Sequence, residues 1–195
     1  MGVAGGGLLG LLPAMQLLGA VNARLLPEAL RAIDASQHAF FASLLSGDDA
    51  FALARALVFL ALTPAIFEEL FFRGALLRLW EGRGATWALV ASSVAFSAFH
   101  MRLGQLLPLL LIGLYLGFVV QRTGSVRPAV VAHALYNTAL IVLAMTSARA
   151  GQVPEPGVLS VVSGLGLATG AMAWLRRHVP PSTSFLSTDA GAKPP

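Results

Sequence analysis

Apolar runs long enough for a bilayer, each interrupted by charged or strongly polar side chains, constrain this chain more than any other feature. After Leu57-Val58-Phe59-Leu60-Ala61-Leu62 come Glu68, Glu69 and then Arg73. A second run holds Phe96 and His100, and a third holds His133 and Asn137. An ionisable side chain in hydrocarbon costs about 2.5–3.5 kcal/mol on insertion scales, so such groups face a cavity, a partner or a site. Two carboxylates, two imidazoles and a carboxamide make a set able to do acid–base chemistry on water. Of the 195 residues, 56% are hydrophobic and 11% charged, against about 25% charged in soluble domains. The expected fold is therefore all-α: a polytopic membrane helical bundle in one domain, 1–178.

Six spans are expected. They run from about Val3 to Val21, Phe51 towards Trp80, Ala85 to Met101, Leu106 to Val120, Pro128 to Met145, and Val158 to Leu175. The second exceeds the roughly 20 residues needed to cross, so it tilts or projects into water. Between the first two, Leu25, Leu26, Leu30 and Ile33 recur at helical spacing among charges, which predicts an interfacial amphipathic helix. Residues 179–195, rich in Pro, Ser, Thr and Gly, read as a disordered tail. No basic side chain precedes the first apolar stretch, so that stretch is expected to stay as a helix. Lys193 is the only lysine, and the arginines sit mostly in short loops, which excludes a nucleic-acid patch and points to orientation in the membrane. With both termini cytoplasmic, Arg78, Arg83, Arg122, Arg127, Arg176, Arg177 and Lys193 lie inside, while Arg24, Arg31, Arg102 and Arg149 lie outside. The chain has no cysteine, so disulfides, thiol nucleophiles and thiolate metal sites are absent.

Depth and helical phase relate the polar residues to one another. At about 1.5 Å per residue, Glu68 lies roughly 18 Å and His100 roughly 22 Å from the cytoplasmic ends of their spans. On the same count His133 lies roughly 8 Å in and Asn137 roughly 14 Å, so all four can share a layer of a core about 30 Å thick. Glu69 and Arg73 are i,i+4 with the carboxylate first, the better order for an ion pair. Glu68 then points elsewhere, unpaired and free to act as a base. His133 and Asn137 share a face and form a donor pair for a developing oxyanion. His100 is placed to hold the attacking water with Glu68, and Phe96 reads most simply as packing. Taken singly, Glu69–Arg73 reads as a structural pair and Asn137 as interhelical glue. Two histidines and a carboxylate also make up a zinc ligand set, but no HExxH spacing occurs, so zinc is permitted without being required.

The order Glu-Glu-x-x-x-Arg, Phe-x-x-x-His, His-x-x-x-Asn resembles the CPBP intramembrane proteases, also called the CAAX-processing or Abi family. Gly113-Leu114-Tyr115-Leu116-Gly117, Gly124-Ser125 and Ala132-His133-Ala134-Leu135-Tyr136-Asn137 continue the resemblance, which covers about 51–144. It implies that Glu68 and His100 activate water, that His133 and Asn137 stabilise the oxyanion, and that Glu69, Arg73 and Phe96 support the site. It also implies a protein substrate that is membrane-anchored or carries a C-terminal signal. The family has been described as metal-dependent, yet its eukaryotic CAAX members resemble a glutamate-based mechanism without a required metal; the expectation is no cofactor, with zinc left open. The composition, rich in Ala, Leu, Gly and Arg, suggests a GC-rich bacterial genome, hence the bacterial cytoplasmic (inner) membrane. Prenylated substrates are not expected there, and the short chain is compatible with the sorting-type members called myxosortases, which remove a C-terminal transmembrane anchor signal. The competing reading is a non-catalytic immunity or scaffold protein, or a proton-coupled carrier using the same Glu and His relay. The small size and the lack of duplicated halves count against a carrier.

Overall fold

The computed structural model describes residues 1–47, 49–150 and 156–180, without the side chains of residues 34, 38 and 148–150. Among the described residues every regular element is helical: the chain is an all-α polytopic bundle. Five helical stretches are long and apolar enough to cross a membrane: Gly2–Leu25, Ala50–Leu79, Leu103–Thr123, Arg127–Ser147 and Val158–His178. The expected disordered tail lies, beyond Pro180, outside the described residues, as does the orientation marker Lys193.

The first span is broken. Helix α1 (Gly2–Gly10) and α2 (Leu12–Leu25) meet at Leu11, and Pro13 in the first turn of α2 explains the break. A proline has no N–H to continue the ladder and fits a helix only at its start. Helix α3 (Glu28–Leu44) has none of its described side chains buried and leaves Ile33 and Phe40 exposed, as an interfacial amphipathic helix does.

The next span is one rod of 30 residues, Ala50–Leu79. It starts at Asp49, whose carboxylate accepts from the Ala52 amide at 2.6 Å and so caps the helix. Within it α4 (Ala50–Ala56), α5 (Thr63–Glu69) and α6 (Leu77–Leu79) are separated by π-helical turns, Leu57–Leu62 and Leu70–Leu76. Pro64 gives the first of these a cause: it cannot donate to the carbonyl one turn back, and the ladder widens before it. The Glu68–Glu69 pair thus ends a short α segment flanked by two wide turns, a feature often found at functional sites.

Helix α7 (Ala85–Phe99) has 15 residues and is shorter than the expected span to Met101. It stops before His100, which caps it, and Met101 takes φ 50, a left-handed value. For a non-glycine residue that conformation costs on the order of 1–3 kcal/mol, so the surroundings must hold it. A short 3-10 turn (Leu103–Gln105) leads into α8 (Leu106–Thr123), which ends on left-handed Gly124. Helix α9 (Arg127–Ala150) opens with Pro128 in its first turn, and α10 (Val158–His178) follows.

Packing brings the polar residues together. Helix α7 lies along α8 and also touches the second π turn, whereas α9 lies along α5 and the first π turn. The α7–α8 seam is narrow: a methyl group built on Gly113 would sit 3.0 Å from Ser93 Cβ, and one on Gly117 would sit 2.5 Å from Leu89. Small residues four apart allow this approach, as they do between many membrane helices. Phe72, Phe96, Leu116, Ala132 and Tyr136 form the core around the site.

Candidate active site

The deepest part of the site is an ion pair with no exposure. Glu69 and Arg73 are both 0% exposed, and Arg73 Nη1 donates to Glu69 Oε1 at 2.7 Å. The spacing had indicated this pair. The side chains on which the pair rests had no signal in it. Arg73 Nη2 donates to the Gly113 carbonyl at 3.3 Å, and its guanidinium carbon lies 4.2 Å from the centre of the Phe96 ring. A buried cation needs such partners, because one unpaired charge costs several kcal/mol; Arg73 Nε and Glu69 Oε2 have no hydrogen-bond partner among the described residues. Sequence reasoning had cited Gly113 only as part of a motif; its spacing from Gly117 was the available hint that a backbone would pass close by.

The pair reaches His133 directly. Its Nδ1 lies 2.9 Å from Glu69 Oε1, the oxygen that also accepts from Arg73. A carboxylate oxygen only accepts, so Nδ1 carries the proton. His100 is fixed in the same sense by a different partner: its Nδ1 lies 2.8 Å from the Phe96 carbonyl, and its ring packs on Phe96 with centroids 4.7 Å apart. Phe96, 0% exposed, therefore touches Arg73, His100 and, at 6.0 Å between centroids, His133. It is packing, and it is packing shared by three site residues.

Both imidazoles consequently turn Nε2 towards Glu68. Glu68 Oε2 lies 3.6 Å from His100 Nε2 and 4.0 Å from His133 Nε2, with Glu68 and His100 each 21% exposed. These separations exceed a direct N–H···O bond, and Glu68 Oε2 has no hydrogen-bond partner among the described residues. Three acceptor atoms thus converge at the open side of a sealed ion pair. Asn137 stands one turn beyond His133 on α9, half-buried, and has no hydrogen bond to Glu68, His100 or His133. The structure brings Glu68, Glu69, Arg73, Phe96, His100 and His133 into one connected cluster; among the described residues no bond joins Asn137 to it.

Zinc does not fit the cluster as it stands. Zn–N bonds of about 2.05 Å in a tetrahedron put neighbouring ligand atoms about 3.3 Å apart, closer than either Glu68–His distance here. Among the described residues no group of three His, Cys, Asp or Glu side chains is arranged to hold a metal ion.

A membrane helical bundle that brings a carboxylate and two oriented imidazoles together has the side chains for acid–base chemistry on water. The comparisons point the same way. A family model described as Rce1-like, type II CAAX prenyl endopeptidase Rce1-like, matches residues 50–139, a stretch that contains every residue of the cluster. Over this stretch the chain is similar to the CAAX-processing (CPBP) family, a family of proteases, which supports a membrane-embedded peptidase. Neither the curated proteins nor the solved structures gave a match.

Proposed function

We propose that Glu68 activates a water molecule to hydrolyse a peptide bond near the membrane-associated C-terminal segment of a protein substrate. The observation that carries this reading is the convergence of Glu68 Oε2 with the two imidazole Nε2 atoms, each ring having its Nδ1 already engaged. A water lying against Glu68 and the neutral His100 donates a hydrogen bond to each. Glu68 takes one proton as the water oxygen attacks the scissile carbonyl. The carbonyl becomes a tetrahedral oxyanion. It accepts from the Asn137 amide and from His133 Nε2, which donates when that ring carries a second proton. Glu69 accepts from the other ring nitrogen of His133, and Arg73 holds Glu69 in place. The C–N bond then breaks, Glu68 passes its proton to the leaving nitrogen, and a carboxylic acid and an amine are released.

The exposed apolar side chains beside Glu68, among them Phe67, Leu70 and Phe71, support a substrate approaching from lipid. This favours a bacterial inner-membrane enzyme whose substrates carry a C-terminal apolar anchor, in the manner of the myxosortases, over one that acts on soluble proteins. A scaffold needs no oriented pair of Nε2 atoms around such a carboxylate, and the small size and lack of duplicated halves count against a carrier.

The test is Glu68→Gln in the native host, with intact and C-terminal masses of membrane and surface proteins compared against the unaltered strain. Loss of maturation of at least one anchored protein, with the variant folded and abundant, is the expected result. Unchanged termini in both that variant and a deletion strain would turn the reading to the non-catalytic alternative.

A further inference from the structure

His100 is the least conventionally held member of the cluster. It caps α7 instead of sitting within it, and the next residue, Met101, has a left-handed backbone. The position of its ring therefore depends on whatever fixes the turn that follows. Four of those contacts come from α2 and α3, outside residues 50–139.

The contacts run along the turn almost residue by residue. Gln37 Nε2, on α3, donates to the Met101 carbonyl at 3.1 Å. The Arg102 guanidinium lies 4.7 Å from the centre of the Phe41 ring, also on α3. Asn22 Nδ2, on α2, donates to the Leu103 carbonyl. Gly19 lies so close to Gln105 that a methyl group there would be 3.2 Å from Gln105 Nε2. On the far side, Ser97 Oγ closes the turn by donating to the Leu106 carbonyl at 2.7 Å. Among the described residues α3 packs chiefly on this turn.

We propose that the α2–α3 arm is a clamp that positions His100, with Gln37, Phe41 and Asn22 as positioning residues acting through residues 101–105. Without it, a left-handed Met101 has little to hold it, the turn samples other conformations, and Nε2 of His100 leaves Glu68. Among the described residues the arm makes no hydrogen bond or ion pair to Glu68 or His133, so its effect falls on the site through His100. Its role in catalysis rests on the hydrolase reading; its role in ordering the turn does not.

The test compares the full chain, reconstituted in lipid, with Gln37→Ala, Gln37→Glu and Gln37→Arg. Glutamate keeps the shape of glutamine without its N–H donor, whereas arginine keeps a donor. Amide hydrogen exchange is read at Met101 and Gln105, whose N–H groups donate to Ala98 and Arg102. In Gln37→Ala and Gln37→Glu both amides should exchange faster, with α9 unchanged, and Gln37→Arg should restore protection. Unchanged exchange in Gln37→Glu overturns the clamp. On the substrate identified by the C-terminal mass comparison, the same two variants should lose kcat roughly ten- to a hundred-fold with KM unchanged. Faster exchange with unaltered kcat, or an effect confined to KM, overturns the positioning role. If the unaltered chain cleaves nothing, the hydrolase reading falls and the exchange result still decides the clamp.

Discussion

Glu68 and Glu69 are consecutive, yet they belong to two regions of the site with opposite character. Glu69 lies in a sealed floor with Arg73, Phe96 and the inner nitrogen of His133, where short bonds leave no exposure at the ion pair. Glu68 lies at a mouth with His100, partly exposed, and its inner oxygen has no hydrogen-bond partner among the described residues. The floor spends its hydrogen bonds on structure, and the mouth leaves acceptor atoms free for a substrate. A hydrolytic centre inside a bilayer needs both: the first holds the ring orientations against the cost of buried charge, and the second keeps a base available.

The comparison breaks most visibly at the floor. Glu69→Ala leaves Arg73 buried without a counter-charge and removes the partner of His133. Loss of about 3–5 kcal/mol is expected, read as a lowered unfolding midpoint in detergent and reduced accumulation in the membrane. A stable, abundant and inactive Glu69→Ala protein would move Glu69 from the floor to the chemistry. At the mouth, Asn137→Ala should leave stability alone and lower kcat by about 10²–10³, the usual effect of removing one oxyanion donor. A normal kcat in that variant would take Asn137 out of the site, where no bond in this structure ties it. The smallest effect belongs to the boundary between the regions. Phe96→Leu keeps an apolar core residue but removes the ring under Arg73, an interaction worth about 0.5–2 kcal/mol. Its expected outcome is modest destabilisation with a small fall in kcat, measured by thermal unfolding and by turnover.

What could be read from the sequence follows from the range of each interaction. Glu69–Arg73 was legible because an i,i+4 pair on one helix is fixed by spacing alone, and the membrane spans were legible from hydropathy. The bond from His133 to Glu69 joins α9 to α5, and nothing in the spacing of either helix encodes which oxygen meets which nitrogen. The π turns were hidden because Leu57–Leu62 and Leu70–Leu76 have the composition of ordinary membrane helix; Pro64 was the one visible cue. The end of α7 at Phe99 was missed for a related reason. Apolar residues continue to Met101, and the stop is enforced by the turn and its tethers. Asn22 and Gln37 in turn read as ordinary surface polar residues, because their partners are backbone carbonyls about 80 and 64 positions away.

The central claim is that two adjacent carboxylates have separate jobs, and Glu68→Gln tests it most directly. The variant is purified, its thermal unfolding is compared with that of the unaltered protein, and C-terminal processing is followed by mass. The account predicts an unchanged unfolding midpoint, since Glu68 Oε2 makes no hydrogen bond among the described residues, together with processing reduced by about 10²-fold or more. A Glu68→Gln protein that processes its substrate at the normal rate would contradict the account.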